Sequence, residues 1–327
     1  KKIAWILAAA LLAGTAAPAQ TIAPFKDGDR VVYLGNSITD GGHYHSYIWL
    51  YYMTRFPEMN LRMYNAGIGG ETAGGMFKRL DGDVFSKRPT VLTVTFGMND
   101  TGYMEYNGDN PEAFGEARYK ECFENYKKME KRLEGLDGVR VVMIGSSPYD
   151  ETARIEGNTP LRGKNAVMQR VVEFQKASAD AHGWEFIDYN APLVEVGRQQ
   201  QAVDPSFTLT GGDRVHPDND GHMVMAYLFL KAQGFAGKEV ADIRIDAAKG
   251  EVLESANCKI SNLRKYGRDL SFDYLANSLP YPMDTVAHGW GMKRGQANAA
   301  KLVPFVEEMN RCLLYTSPSP RDPKTSR

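Results

Sequence analysis

Four short segments carry the residue types that acyl transfer requires. In chain order they are residues 35–41, 65–70, 97–100 and 213–217. Ser37 follows the apolar run 31–34, which predicts a buried strand that leads into a tight turn. Such a turn places the serine hydroxyl at the carboxyl end of a strand, where open α/β sheets bind their ligands. A serine hydroxyl becomes a nucleophile when a neighbouring base removes its proton.

Asp213 and His216 are the residues that could activate Ser37. They lie three positions apart and are followed by Pro217. A short loop of this kind lets the carboxylate hold one imidazole nitrogen while the other nitrogen faces Ser37. The carboxylate then fixes the tautomer and stabilises the imidazolium as it forms. We therefore predict a triad of Ser37, His216 and Asp213.

The tetrahedral intermediate of acyl transfer also needs hydrogen-bond donors aimed at its oxyanion. Gly67 has no Cβ, so its backbone N–H can approach a substrate closely. Asn99 follows the strand-like run 90–96, and its side-chain amide can point toward the same end of the sheet as Ser37. The backbone N–H of Ser37 is the third predicted donor of this oxyanion hole.

The four segments resemble the conserved blocks of the SGNH hydrolases, also called GDSL-type esterases. They read GNSITDG, NAGIGGE, GMND and DRVHP, and the resemblance spans residues 29–234. It implies that Ser37 is the nucleophile, that Asp213 and His216 are its triad partners, and that Gly67 and Asn99 are oxyanion donors with Ser37.

One departure from the family pattern is Asn36, which stands where Asp is usual. Asparagine can still form a hydrogen bond within the turn, so we expect activity to persist without the charge beside Ser37. The chain contains no G-x-S-x-G sequence, which argues against the nucleophile elbow of the common α/β-hydrolases.

Predicted strands and helices alternate along the central part of the chain. The strands are residues 30–35, 61–65, 90–96, 139–145 and 185–189, and the helices are residues 43–56, 71–86, 111–134, 160–182 and 219–234. Alternating βα units imply a parallel sheet covered on both faces. The resemblance implies the same architecture, a flavodoxin-like three-layer α/β/α sandwich with five parallel strands. Asn219 or Asp220 is expected to cap the last helix.

The chain is predicted to begin with a signal peptide at residues 1–19, followed by the SGNH domain at 20–235. Lys1 and Lys2 precede a short apolar core and small residues that end at Ala19, which is the pattern of a secretory signal. The apolar core is too short to span a bilayer, and no cysteine directly follows it to carry a lipid anchor. We therefore expect a periplasmic or secreted protein that is not inserted in the membrane after cleavage.

The pattern changes after residue 235. Residues 240–246 alternate like a half-buried strand, 259–275 predict a hairpin with its turn at 267–269, and 284–310 are expected to be helical. This β-containing accessory region, 236–311, is expected to continue beyond the sequence given. Residues 312–327 match the translation of a sequencing-library adapter and are expected to be foreign.

Composition favours a globular enzyme, and the resemblance to the SGNH hydrolases implies no cofactor. The chain has 327 residues, of which 43% are hydrophobic and 24% charged, and its net charge of −1 does not favour a nucleic-acid partner. The three cysteines, Cys122, Cys258 and Cys312, form neither a disulfide framework nor a zinc motif. The expected partner is a small-molecule or polysaccharide ester.

Two other groups of residues leave alternatives open. A metal site is one interpretation of His43, His45, Asp218, Asp220 and His222, and loop capping is the alternative for the two acidic residues. The aromatic run 47–53 is expected to be mostly the buried face of the first helix, with a sugar-stacking platform as the alternative. The favoured function is a secreted serine esterase that removes acetyl or other short acyl groups from carbohydrate. A lysophospholipase, a metal-dependent hydrolase and a non-catalytic carbohydrate-binding protein are the alternatives.

Overall fold

The computed structural model describes residues 21–283 and 299–317. The predicted signal peptide, residues 1–19, lies outside the described residues, as does the first part of the helical prediction at 284–310. Within the described ranges, none of the helices combines the length and the apolar character that crossing a bilayer requires.

A five-stranded parallel sheet forms the centre of the molecule. Its strands are β1 (Arg30–Gly35), β2 (Arg62–Gly67), β3 (Val91–Val94), β4 (Arg140–Gly145) and β5 (Glu185–Asp188). They lie in the order β2-β1-β3-β4-β5, and every neighbouring pair is parallel. The order reverses direction at β1 and β3, the point at which open α/β sheets form their binding crevice. The structure therefore confirms the predicted α/β class and the five strands.

Helices cover both faces of this sheet. They are α1 (Ser37–Asp40), α2 (His43–Arg55), α3 (Ala73–Lys78), α4 (Pro111–Glu134), α5 (Lys164–His182), α6 (Asn190–Gln201) and α7 (Asn219–Ala232). Successive β1 side chains point to opposite faces, so Val31 and Tyr33 pack in one core while Val32 and Leu34 pack in the other. The first core includes α2 and α7, and the second includes α3 and α4.

The predicted helix at 71–86 is wrong as a single element. The structure has α3, a π-helical turn at Leu80–Val84 and a 3-10 turn at Phe85–Lys87. Gly74, Gly75 and Gly82 fall within this stretch, and glycine weakens a helix interior because it loses more backbone entropy on folding. The stretch ends at Arg88, which has a positive φ of 50°.

Two further differences concern helix starts. Helix α6 was not among the predicted elements, although its start is marked by the Asp188 side chain, which accepts a hydrogen bond of 2.7 Å from the N–H of Asn190. The cap of α7 is Asp218, whose carboxylate accepts the N–H of Gly221 at 3.0 Å, and not Asn219 or Asp220. Residues Asn219 and Asp220 form the first turn of that helix.

The C-terminal region is β-rich, as predicted. Its elements are β6 (Ala241–Asp246), β7 (Glu251–Ala256), β8 (Cys258–Tyr266), β9 (Asp269–Ala276), α8 (Ala299–Leu302), α9 (Phe305–Met309) and β10 (Cys312–Ser317). β8 and β9 form the expected antiparallel hairpin, whereas β10, β6 and β7 form a separate three-stranded sheet. Helical structure within 299–310 is broken at Pro304. The foreign origin of residues 312–327 stays a prediction.

Candidate active site

The turn that carries Ser37 joins β1 directly to α1. Asn36 is the N-cap of α1, and its Oδ1 accepts the N–H of Ile38 at 3.0 Å. This is the hydrogen bond within the turn that the sequence analysis expected asparagine to keep. Gly35 packs against the same turn, since a Cβ there would lie 2.1 Å from Oγ1 of Thr39. Ser37 is thereby fixed in the first turn of a helix at the carboxyl edge of the sheet.

Ser37, His216 and Asp213 form one continuous line of hydrogen bonds. The Ser37 Oγ and His216 Nε2 are 2.7 Å apart, and His216 Nδ1 lies 2.6 Å from Asp213 Oδ2. A carboxylate can only accept, so Nδ1 carries the proton and Nε2 accepts from the serine hydroxyl. The other carboxylate oxygen, Oδ1, accepts the backbone N–H groups of Val215 at 2.9 Å and His216 at 3.0 Å.

The protonation state of Asp213 suits this arrangement. Burial alone would raise its pKa, but the hydrogen bonds from His216 and the backbone N–H groups outweigh that effect and hold the pKa below its usual value. Asp213 is therefore a carboxylate at neutral pH, as the orientation of an imidazolium requires.

Arg214 lies between Asp213 and His216 in the sequence, and its side chain anchors the loop that carries both residues. Its side chain is 1% exposed and its backbone has a positive φ of 67°. The guanidinium donates to the carbonyls of Asp150 at 3.0 Å, Ala153 at 2.9 Å and Asn158 at 2.6 Å. This role could not be predicted from the sequence, because arginine side chains usually point to solvent.

Replacement of Arg214 by methionine is expected to destabilise the protein by about 3 kcal/mol, because it leaves several buried carbonyls without their donor. The loss is measured as the free energy of unfolding in urea. The matched control is Arg198→Met, which removes an exposed arginine paired with Glu195 and should leave the unfolding midpoint unchanged. Equal midpoints for Arg214→Met and the unmodified protein would contradict the anchoring role.

Gly67 ends β2, which lies beside β1 with Gly67 opposite Gly35. A Cβ on residue 67 would lie 2.2 Å from the backbone nitrogen of Asp40 and 2.7 Å from the carbonyl carbon of Thr39. Glycine is therefore required at position 67 for packing, because α1 lies in direct contact with the end of β2. Its N–H donates to the Asn65 side chain at 2.9 Å. The oxyanion role of Gly67 stays a prediction.

The loop after β3 carries Asn99 and is held by the buried side chain of Asp100. The two carboxylate oxygens of Asp100 accept the N–H groups of Ala73 at 2.8 Å and Gly97 at 2.9 Å. Burial raises the pKa of this carboxyl group, although these hydrogen bonds oppose the shift. Asn99 itself donates from Nδ2 to the carbonyl of Glu71 at 2.9 Å.

A buried lysine of α5 also anchors the loop that carries Asn99. Lys164 Nζ lies 2.7 Å from the Met98 carbonyl, 2.7 Å from Thr101 Oγ1 and 2.6 Å from the Gly102 carbonyl. Burial lowers the pKa of this amine to about 7. No sequence pattern singled out Lys164, since lysine is among the residues least often buried.

The structure therefore brings three of the predicted residues into direct contact and the other two to the same edge. Ser37, His216 and Asp213 are hydrogen-bonded in series. Gly67 ends β2 and Asn99 lies in the loop after β3, and these are the two strands that flank β1. An arrangement of this kind can activate a serine hydroxyl and places candidate N–H donors at neighbouring strand ends.

The residues of the metal hypothesis make packing and capping contacts instead. The His43 ring stacks on His222 with centroids 5.1 Å apart, and His45 Nε2 lies 3.1 Å from the Thr39 carbonyl. Asp218 caps α7, and Asp220 accepts the N–H of Ala299 at 3.0 Å. Within the described residues, the side chains close enough to share an ion belong to a different group, which is Glu130, Glu134 and His182 on α4 and α5.

The aromatic run 47–53 is mostly core, as expected. Ile48, Tyr51 and Tyr52 are buried, while Trp49 and Met53 keep 41% and 54% of their surface exposed.

The sequence matches a known family over more than half of its length. A family model described as the GDSL-like lipase/acylhydrolase family matches residues 33–224. The acetylxylan esterase of Geobacillus stearothermophilus is 28% identical over 225 residues, which are 64% of this chain and 95% of that protein.

Solved structures show the same fold. A gut microbial diltiazem-metabolizing enzyme is 61% identical and superposes with a TM-score of 0.85, over 90% of this chain and 68% of that one. The crystal structure of the Geobacillus stearothermophilus acetylxylan esterase is 22% identical, with a TM-score of 0.52 over 64% of this chain and 96% of that one. Catalytic mutants of that esterase, with a serine, an aspartate or a histidine replaced by alanine, have also been solved.

Proposed function

The chain belongs to the GDSL-like lipase/acylhydrolase family, and from this premise we propose that it is an exported serine esterase that removes acetyl groups from carbohydrates and other small acetate esters. It is a carboxylic ester hydrolase of the SGNH type. The single observation that carries the proposed mechanism is the series of hydrogen bonds from Ser37 through His216 to Asp213.

The proposed reaction has two halves. In the first, Ser37 Oγ attacks the ester carbonyl as His216 Nε2 takes its proton, and the carboxylate of Asp213 stabilises the imidazolium. The alcohol then leaves with the proton from His216, and an acyl group remains on Ser37. In the second half, His216 removes a proton from water as the water attacks the acyl-enzyme. The bond between the acyl group and Ser37 Oγ then breaks, His216 returns the proton to Ser37 Oγ, and the acid is released.

The negative charge of each tetrahedral intermediate needs donors. We assign the backbone N–H groups of Ser37 and Gly67 and the side-chain amide of Asn99 to this task, because their strands end side by side at the edge where Ser37 lies. For Gly67, the substrate oxygen would have to replace Oδ1 of Asn65, which accepts that N–H at 2.9 Å.

The relatives support a small acyl group. One is an acetylxylan esterase, whose catalytic mutants replace the same three residue types as in the proposed triad, and another is a diltiazem-metabolizing enzyme. Export is proposed from the charged, apolar and small-residue pattern of residues 1–19. An exported esterase would meet acetylated polysaccharides outside the cytoplasm.

The test is the rate of hydrolysis of p-nitrophenyl acetate, butyrate and octanoate by the protein without residues 1–19. We expect kcat/KM to be highest for acetate, and we expect acetate release from acetylated xylo-oligosaccharides. A preference for octanoate would move the function to lipid esters. Folded protein that hydrolyses no ester and is not labelled at Ser37 by a fluorophosphonate would instead be a binding protein.

A further inference from the structure

The side-chain amide of Asn99 is held by one partner at each end. Its Nδ2 donates to the Glu71 carbonyl at 2.9 Å, and its Oδ1 accepts the hydroxyl of Tyr103 at 2.7 Å. The Glu71 carbonyl can only accept, so the amide nitrogen must face Glu71 and the amide oxygen must face Tyr103. The amide nitrogen carries two hydrogens, and these two contacts use one of them.

Glu71, which accepts the Asn99 amide, is linked through Arg79 to β1, the strand that precedes Ser37. Arg79 Nε lies 2.5 Å from Glu71 Oε2, and an Arg79 terminal nitrogen donates to the Gly35 carbonyl at 3.2 Å. The Arg79 side chain is only 14% exposed, so this link is partly shielded from water. The carbonyl that receives the Asn99 amide is therefore fixed relative to the end of β1.

The Tyr103 end is fixed as well. The ammonium group of Lys164 lies 4.2 Å from the centroid of the Tyr103 ring, within the range of a cation–π contact. Burial, together with the nearby charges of Asp213 and Asp100, raises the pKa of the Tyr103 hydroxyl well above its usual value. The hydroxyl thus stays protonated, and it remains a donor to Asn99 wherever the enzyme is folded.

We propose that Tyr103 is a positioning residue that orients the Asn99 amide so that its second N–H hydrogen faces the oxyanion. This inference rests on the proposed function, in which Asn99 is an oxyanion donor. Without the Tyr103 hydroxyl, Oδ1 loses its partner, and the amide is held only by its hydrogen bond to Glu71 and rotates more freely. An amide oxygen beside the oxyanion would then repel the charge that the nitrogen stabilises.

The experiment compares Tyr103→Phe with Tyr106→Phe on p-nitrophenyl acetate. Both variants remove one tyrosine hydroxyl from the same loop, but Tyr106 donates to the Thr101 carbonyl at 2.9 Å rather than to Asn99. We expect Tyr103→Phe to lower kcat by roughly 10- to 100-fold with KM changed by less than about 3-fold, because only the transition state carries the oxyanion. We expect Tyr106→Phe to change kcat by less than about 3-fold.

A double-mutant cycle separates positioning from general damage to the loop. In an Asn99→Ala background, Tyr103→Phe should cause no further loss of kcat, because the group that it orients is already gone. A full loss in that background would overturn the proposal, as would a Tyr103→Phe enzyme with the kcat of the unmodified protein.

Failure of the proposed function gives a different result. In that case the unmodified protein hydrolyses none of the esters, and the rate at which a fluorophosphonate labels Ser37 becomes the readout, since its phosphoryl oxygen occupies the oxyanion position. Slower labelling of Tyr103→Phe than of Tyr106→Phe would still support the positioning role. Equal labelling of the two variants, or labelling of neither, would overturn it.

Discussion

Ser37→Ala is expected to lower kcat for p-nitrophenyl acetate by about 10⁴- to 10⁶-fold, the range found when a triad nucleophile is removed. The reason is that, of the three hydrogen-bonded residues, only Ser37 forms the acyl-enzyme, whereas His216 takes its proton and Asp213 stabilises the imidazolium. The residual rate should come from direct attack of water on the ester, with the oxyanion stabilised by the oxyanion-hole donors that the variant retains. Steady-state kinetics with a fluorophosphonate titration of active sites measures the effect.

The matched control for this variant is Ser46→Ala, which removes an exposed serine hydroxyl from α2. We expect it to keep full activity and full labelling, whereas Ser37→Ala should not be labelled. The folding of both variants is checked by circular dichroism. If a folded Ser37→Ala enzyme retained more than about one-hundredth of the activity, the serine mechanism would be wrong.

Asn99→Ala is expected to lower kcat by about 10²- to 10³-fold and to change KM by less than about 3-fold, because one oxyanion donor typically contributes this much and acts on the transition state. The comparison uses p-nitrophenyl acetate at saturating and limiting concentrations. The Nδ2 of Asn99 also donates to Glu71, so part of the effect on stability arises from that lost bond.

Asn107→Ala provides the control for Asn99→Ala, because Asn107 is exposed and lies in the following 3-10 turn. It should have the kinetics of the unmodified protein. An Asn99→Ala enzyme with a raised KM and an unchanged kcat would show that the amide binds the ground state of the substrate, and the oxyanion assignment would have to be abandoned.

The centre of the sheet could be predicted from the sequence because β1, β3 and β4 are short apolar runs that contain β-branched residues. β1 was predicted at 30–35 and lies there, since its residues are buried on both faces and read as one apolar run. α4 was also predicted with its observed ends, 111–134, because Pro111 begins it and Gly135 follows it. The glycine-rich stretch 71–86 has no comparable signals, and its helix breaks into three pieces.

The residues that hold the site could not be predicted in the same way. Ser37, Asp213 and His216 are recognisable because chemistry restricts which side chains can serve, and their blocks are short. Arg214 and Lys164 act through buried contacts with residues more than fifty positions away, such as Asn158 and Met98. In a sequence, a buried arginine or lysine has the same appearance as an exposed one, because only the tertiary structure removes it from water.

The contact between Gly67 and the turn of Ser37 also limits how this protein can evolve. Because the backbone of Asp40 occupies the place where a Cβ of residue 67 would lie, any replacement of that glycine must displace the helix that begins at the nucleophile. A mutation at position 67 is therefore not an independent step, and it can persist in a lineage only together with a compensating change in residues 36–41. Selection for activity and selection for a folded sheet act on this position as a single constraint.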